Sequence, residues 1–117
     1  MAFKSKLSEE GDMVTVRLAG SLDALSINDF KIVLNEVMKT GKKKILFIMK
    51  DLTFINSGAI GSFLSFNKWV SGVGGMLKIG EVHPRALQVF KMMRFETVIS
   101  FYDSTSEALE AFKENRP

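Results

Sequence analysis

The sequence predicts an α/β protein with a mixed central sheet, an N-terminal β-hairpin and about four helices. Segments with strand and helix periodicity follow one another in the order β-β-α-β-α-β-α-β-α, which is typical of a layered fold with a largely parallel sheet. A continuous apolar run at 45–49 is typical of a strand buried on both faces. The 117 residues match the size of one domain, and no repeat or linker divides them. We therefore expect one domain over 1–117.

The first two elements are predicted to be strands joined by a turn. Weak alternation at 3–7 is followed by the acidic, glycine-containing segment 9–12, which favours a turn. Apolar and polar side chains then alternate over 14–18, the period of a half-buried strand, and Gly20 is predicted to end it. These segments predict the N-terminal hairpin.

Four segments carry apolar residues at the spacing of one helix face. Pro84 fits the first turn of the third helix, and Ser104 with Glu107 forms a capping box that opens the fourth. Phe66 and Trp69 lie off the stripe of the second helix, so they either pack against the side of the core or one of them is exposed and contacts a partner. The predicted inward stripes are Phe30, Val33, Leu34, Val37 and Met38; Ile60, Phe63, Leu64 and Val70; Leu87, Phe90 and Met93; and Ala108, Leu109 and Phe112.

The remaining strands are read from short apolar runs between turn residues. A polar turn at 50–53 is predicted to follow the buried strand. The glycines at 72–75 are predicted to end the second helix, and strands are predicted at 76–79 and 98–101.

Composition excludes several classes of function. The absence of cysteine excludes a disulfide framework, a thiol nucleophile and cysteine-ligated zinc, and His83 alone cannot make a usual zinc site. We therefore predict no metal and no cofactor. A net charge of +3 without a basic, aromatic-interleaved face argues against nucleic-acid binding. No apolar run approaches the ~18 residues of a membrane span, so we expect a cytoplasmic protein.

The segment 51–61 is the most informative stretch. A polar turn and two apolar residues lead into a helix opened by small residues, with Asn56 placed to cap it. Backbone N–H groups and the positive end of the helix dipole favour a phosphate at such a position. Ser57 is therefore either a plain helix-start residue or a modification site, and the residues alone leave both open.

The same stretch resembles the motif of the STAS family, the anti-anti-sigma domains. The family's pattern is an aspartate, a small hydroxyl residue two positions on, an apolar pair, and then Asp-Ser-Ser/Ala-Gly-Leu-Gly. The matching positions are Asp51, Thr53, Phe54-Ile55, Ser57, Ile60 and Gly61. Gly20-Ser21-Leu22-Asp23 resembles the family's Gly-Glu-Leu-Asp segment, and Val82-His83-Pro84 sits where the family has a strand followed by a helix. The order of elements agrees over essentially the whole chain.

The resemblance implies that the chain is not an enzyme but an anti-sigma-factor antagonist. It implies that Ser57 is the phosphoacceptor and that the partner is an anti-sigma factor that is itself a serine kinase with an ATP-binding fold. In the family the unphosphorylated domain binds this partner, phosphorylation releases it, and a phosphatase resets the cycle. The residues expected to contact the partner are Asp23, Asn56, Ser57, Gly58, Ile60 and Gly61.

Two departures from the family pattern bear on this expectation. Asn56 replaces the aspartate that precedes the acceptor serine, and the following pair is reversed to Gly58-Ala59. Asn56 keeps a capping oxygen but loses a charge that a kinase could read.

Two other functions remain open. The first is a STAS scaffold that does not switch, as a subunit of a stress-signalling or lipid-transport complex, which Asn56 favours. The second is a sensor of a small ligand or nucleotide at the end of the sheet near Asp23 and Ser57.

Overall fold

The computed structural model describes residues 2–114. Within them, five strands form one sheet and four helices cover it, with one short 3-10 helix. The strands are β1 (Lys4–Glu10), β2 (Met13–Leu22), β3 (Lys44–Ile55), β4 (Met76–Gly80) and β5 (Ser100–Tyr102). The helices are α1 (Ile27–Lys39), α2 (Ser57–Gly72), α3 (Pro84–Met92) and α4 (Thr105–Lys113), and the 3-10 helix is Phe95–Thr97.

The strands lie in the order β1-β2-β3-β4-β5. β1 runs antiparallel to β2, and the other neighbours are parallel, so the sheet is mixed. This confirms the predicted fold class, including the N-terminal hairpin. It also places the carboxyl ends of β2 and β3 side by side, because parallel strands end at the same edge.

The larger core lies between the sheet and helices α1, α2 and α3. At its centre is the fully buried Phe63 of α2. Its ring centroid lies 4.8 Å from that of Phe47, 5.1 Å from Phe30, 6.2 Å from Phe90 and 6.3 Å from Phe95. Aromatic contacts at these distances add to the burial of the rings themselves. They tie α2 to β3, α1, α3 and the 3-10 helix after α3.

The smaller core lies on the opposite face of the sheet, under α4. Leu46 and Ile48 of β3 pack there against Ala108 and Phe112 of α4. Because successive side chains of a strand point to opposite faces, Ile45 and Phe47 belong to the first core and Leu46 and Ile48 to the second. This confirms that the centre of β3 is buried on both faces.

Three strands are longer than predicted. β1 continues to Glu10, so only the second half of the segment predicted as a turn at 9–12 is one. The predicted turn at 50–53 is wrong, because β3 continues to Ile55. β2 likewise passes Gly20 and ends at Leu22, with register shifts on either side of Ala19-Gly20. The polar residues at 50–51 are exposed because β4 stops opposite Ile48, so this end of β3 has a neighbour on one side only.

The region after α3 also differs from the expectation. Val98 was predicted to begin the last strand, but it ends the 3-10 helix and is exposed. Met93, predicted to face inward, is exposed because α3 ends at Met92. Arg94 follows in the left-handed region at φ 55°, which breaks the helical stripe. β5 is therefore short and begins at Ser100.

The helix stripes otherwise follow the prediction except in α3, where Ala86 rather than Leu87 is buried beside Phe90. The side chains that end in the core are Phe30, Val33, Leu34, Val37, Ile60, Phe63, Val70, Phe90, Ala108 and Phe112. Of the two aromatic residues off the α2 stripe, Phe66 is buried and Trp69 is 37% exposed. No helix within residues 2–114 has the length and apolar character needed to cross a bilayer.

Candidate functional site

The paired ends of β2 and β3 bring the turn that follows β2 next to the start of α2. The Asn56 amide donates a hydrogen bond of 3.0 Å to the Leu22 carbonyl. Asp23 follows Leu22 and Ser57 follows Asn56 in the chain, so both residues lie just beyond the same edge of the sheet. Thr53 strengthens the same junction, since its hydroxyl donates to the Gly20 carbonyl at 3.2 Å. The structure thus joins two segments that are 34 positions apart in the sequence.

Asn56 caps α2, as predicted. Its backbone is extended, with φ −96° and ψ 170°, and its side-chain oxygen accepts a hydrogen bond of 2.9 Å from the Ala59 amide. The cap satisfies one of the four N–H groups that a helix leaves without an intrahelical partner. The first turn of α2 holds no acidic side chain.

Ser57 is the first residue of this helix and is exposed to solvent. Within the described part of the chain its hydroxyl makes no hydrogen bond. It lies at the positive end of a 16-residue helix, where a negative charge is favourable. The position is therefore accessible to an enzyme and electrostatically suited to a phosphate.

A compact turn holds Asp23 beside this helix start. The Asp23 amide donates to the Ser26 hydroxyl at 2.9 Å, and that hydroxyl lies 2.9 Å from the Ser21 carbonyl. The Asp23 carboxylate accepts from the Leu25 amide, also at 2.9 Å. These bonds fix the carboxylate at the edge of the site and push the Leu25 side chain outward, 94% exposed.

A groove between α1 and α2 begins next to Ser57. It has a volume of about 580 Å³, and small residues of α2 form one wall. A Cβ atom on Gly61 would meet only open space, so no other part of the described chain packs against α2 at this position. Trp69 lies further along and stacks on Phe66 with ring centroids 6.1 Å apart. The lining residues are Lys31, Leu34, Asn35, Met38, Gly58, Gly61, Ser62, Ser65, Phe66 and Trp69.

One predicted contact residue does not lie on this surface. Ile60 is 2% exposed and belongs to the larger core. Its side chain faces the sheet because it shares the helix face of Phe63, three residues on. The expectation that Ile60 touches a partner is therefore corrected: it anchors the helix that carries Ser57, Gly58 and Gly61.

The sequence reasoning missed two exposed apolar side chains, Leu25 at the site and Phe54 near it on the other face of the sheet. Leu25 follows Asp23, and Phe54, three residues before Ser57, is 48% exposed. Leu25 could have been noticed as a large apolar residue in a predicted loop. Phe54 could not, since its exposure depends on where β4 ends.

The remaining candidates have structural roles. His83 begins α3, and its Nδ1 accepts from the Arg85 amide at 3.1 Å. Within residues 2–114 no three histidine, aspartate or glutamate side chains are grouped so as to hold a metal ion.

Comparison with known proteins gives a family match over most of the chain. The family model for the STAS domain matches residues 4–108. A Thermotoga neapolitana protein provisionally named an anti-sigma factor antagonist is 32% identical over 80 residues, covering 68% of this chain and 71% of the relative. The anti-sigma F factor antagonist of Paenibacillus polymyxa is 23% identical over 110 residues, which is 93% of this chain and 94% of that protein.

Solved structures share the fold at low identity. An anti-sigma factor antagonist from Mycobacterium paratuberculosis has a TM-score of 0.85 at 11% identity, covering 94% of this chain and 93% of that one. SpoIIAA in its unphosphorylated form has a TM-score of 0.79 at 18% identity, with 95% and 97% covered. The phosphorylated form of the Bacillus SpoIIAA has a TM-score of 0.69 at 20% identity, with 95% and 99% covered.

Proposed function

The chain belongs to the STAS-domain family of anti-sigma factor antagonists, which are regulators rather than enzymes, and on this premise we propose a phosphorylation switch at Ser57. In its unphosphorylated form the chain binds a kinase-type anti-sigma factor in the cytoplasm and frees a sigma factor. Phosphorylation of Ser57 by that kinase separates the complex, and a phosphatase restores binding.

The observation that carries this proposal is the exposed Ser57 hydroxyl at the capped start of α2. The neighbouring N–H groups of the first turn and the helix dipole stabilise a phosphate there, so phosphorylation leaves the fold intact. A relative of the same fold, SpoIIAA, has been solved in both a phosphorylated and an unphosphorylated form.

The same phosphate is unfavourable inside a complex. It adds about −1.5 to −2 charges next to Asp23, which already presents a carboxylate at this edge. A docked partner removes the water that screens these charges, and like charges in a desolvated interface cost several kcal/mol. Since about 1.4 kcal/mol is a tenfold change in affinity, binding falls by orders of magnitude.

We propose that the partner covers the site and the start of the α1–α2 groove. Asp23, Asn56, Ser57, Gly58 and Gly61 supply its polar and backbone contacts. The exposed apolar side chains of Leu25 and Trp69 supply the apolar contacts that anchor an interface. Ile60 contributes from beneath by holding α2 on the sheet.

Asn56 supports one alternative, a STAS scaffold that does not switch. It caps α2 but lacks the negative charge that the family carries before the acceptor serine. In that case the same surface binds a partner constantly, and the modification of Ser57 has no effect on binding.

The test is a pull-down from native lysate with four forms of the chain as bait. Wild type and Ser57→Ala should retain a kinase-like ATP-binding protein, identified by mass spectrometry, and Ser57→Asp should lose it. Ser106→Asp is the matched control, since Ser106 is an exposed serine in the first turn of α4, on the opposite face of the sheet. It adds the same charge at an equivalent helix start and should bind like wild type.

Two results would contradict the switch. If all four baits retain the same partner, Ser57 does not control binding and the scaffold alternative stands. If Ser57→Asp and Ser106→Asp both lose it, the effect comes from net charge rather than from the site.

A further inference from the structure

Four cationic side chains lie on a half of the sheet that α4 leaves open. Lys6 pairs with Arg17 across β1 and β2, and Arg17 pairs with Ile48 across β2 and β3. Paired residues point to the same side of a sheet, and Ile48 packs under α4. Lys4 lies two residues before Lys6 and therefore shares its face. A shallow groove of about 260 Å³ joins them to the exposed Lys50.

We call Lys4, Lys6, Arg17 and Lys50 the basic face. Lys6 and Arg17 stand directly opposite each other, an arrangement of like charges that destabilises an isolated sheet. None of these four residues takes part in an ion pair within residues 2–114; the pairs of Lys42 with Glu9 and of Lys44 with Asp12 lie elsewhere. Asp51 in the groove and the nearby Glu81 are its acidic neighbours, so the cations remain in excess.

The helix beside this face presents exposed carboxylates in its first two turns and at its start, and its basic residue, Lys113, lies in the last turn. Asp103, Glu107 and Glu110 are exposed. Glu107 and Glu110 are three positions apart on α4 and therefore share one side of the helix. Asp103 lies just before the capping residue Ser104. We call these three residues the acidic ridge.

The basic face and the acidic ridge occupy neighbouring halves of the same side of the molecule. α4 packs against β3, β4 and β5, and the basic face extends over β1, β2 and the end of β3. Two copies can be placed with these sides facing each other, related by a two-fold axis that runs between the sheets and parallel to their strands. This axis sets the half covered by α4 in one copy against the open half of the other. It places each α4 on the open half of the other copy, and the acidic ridge of each copy meets the basic face of the other.

We propose that this side of the molecule is a self-association surface, whose occupant is a second copy of the chain. The interface is isologous, so every charge contact occurs twice. The small side chains Thr15 and Ala19 on the outer side of β2 leave room for a helix. The surface is opposite α1 and α2, so the dimer leaves Ser57 free, and this proposal stands independently of the proposed function.

The first measurement is the sedimentation velocity of the full chain over a range of concentrations. The chain should form dimers at about 0.01 M salt, where the Debye length is about 30 Å, and dissociate at about 1 M, where it is about 3 Å. Lys6→Glu/Arg17→Glu should raise the dimer dissociation constant at least about tenfold, since close interfacial charge pairs contribute on this scale. Glu107→Lys/Glu110→Lys should do the same.

Mixing the two double variants gives the sharper test. Each alone sets like charges against each other and should be monomeric. In the mixed pair, the reversed face of one copy meets the reversed ridge of the other, and the two unaltered surfaces also meet. The mixture should therefore form heterodimers, which also shows that both variants are folded.

Lys68→Glu/Lys91→Glu is the matched control. It changes the net charge as much as Lys6→Glu/Arg17→Glu does, but at exposed positions of α2 and α3. This variant should dimerise like wild type. A monomeric wild type at low salt overturns the proposal, as does a mixture that associates no better than its components. Salt-sensitive binding of inorganic phosphate by a monomeric wild type would assign the basic face to a small anion and also overturn it.

Discussion

Helices α2 and α4 begin in similar ways and differ in what their first turns leave open. Each follows a strand and is capped by a polar side chain, Asn56 bonding the Ala59 amide at 2.9 Å and Ser104 bonding the Glu107 amide at 3.1 Å. These caps give the two helix starts the same local geometry.

The charges and hydroxyls of the two first turns are arranged differently. The first turn of α4 already contains the carboxylate of Glu107, and the Thr105 hydroxyl donates to the Glu81 carboxylate. The first turn of α2 has no acidic residue, and Ser57 is exposed. A capped helix start becomes a phosphate site only when its hydroxyl and its positive potential are both free, and of these two only α2 meets both conditions.

The largest expected effect is on the position of phosphorylation. When the chain is incubated with ATP and a kinase-type anti-sigma factor, we expect phosphate on Ser57 and none on Thr105 or Ser106. Peptide mapping by mass spectrometry locates the modification, and Ser57→Ala should abolish it. Phosphate on Thr105 would show that a hydrogen-bonded hydroxyl does not protect a helix start, and phosphate on the exposed Ser106 would show that the neighbouring Glu107 carboxylate does not.

Loss of either cap should have a similar effect on stability. Asn56→Ala and Ser104→Ala should each lower the free energy of unfolding by about 1 kcal/mol, because each removes the acceptor for one first-turn amide. Urea denaturation measures both. A much larger loss for Asn56→Ala would mean that the cap also maintains the contact between Asn56 and Leu22.

A carboxylate should affect the two helix starts in opposite directions. Ser57→Asp should raise the free energy of unfolding by about 0.3–1 kcal/mol, since it places a negative charge in an uncharged first turn. Thr105→Asp should lower it, because it removes the donor to Glu81 and adds a charge near Glu81 and Glu107. Melting curves of the two variants compare their stabilities with that of wild type. Equal shifts in melting temperature would contradict an electrostatic difference between the two helix starts.

The smallest effect concerns pH. The Thr105 hydroxyl lowers the pKa of Glu81, burial opposes this shift, and Lys50 and Arg17 lower the pKa further. A carboxyl whose pKa is lower in the folded chain adds stability above its ordinary value of 4.5, and this stability is lost as the pH falls through the folded value. Stability should therefore fall more below about pH 4.5 in wild type than in Glu81→Gln. Parallel acid titrations by circular dichroism compare them.

The order of elements and most of the core could be predicted because they depend on local periodicity. The stripe from Phe30 to Val37 and the buried run at 45–49 each carry their own signal. The ends of β2, β3 and β5 could not be predicted in this way. Leu22 and Ile55 are in strands because they pair with each other, and such pairing has no trace in either segment alone.

The candidate site also contains residues that local sequence could place and residues that depend on strand pairing. Asn56 and Ser57 could be placed from capping chemistry and a resemblance, both of which are local. The exposure of Phe54 and the position of Asp23 beside Ser57 follow from strand lengths and register. The basic face was beyond sequence reasoning, because Lys6, Arg17 and Lys50 meet only after the sheet has formed.

The aromatic cluster around Phe63 limits what a modification at Ser57 can do. Four rings hold the buried face of α2 against β3, α1, α3 and the 3-10 helix, so a charge at the start of α2 has no loosely packed element to displace. A phosphate at Ser57 therefore acts only through the contacts that a partner makes with this surface, and only its removal by an enzyme reverses the effect.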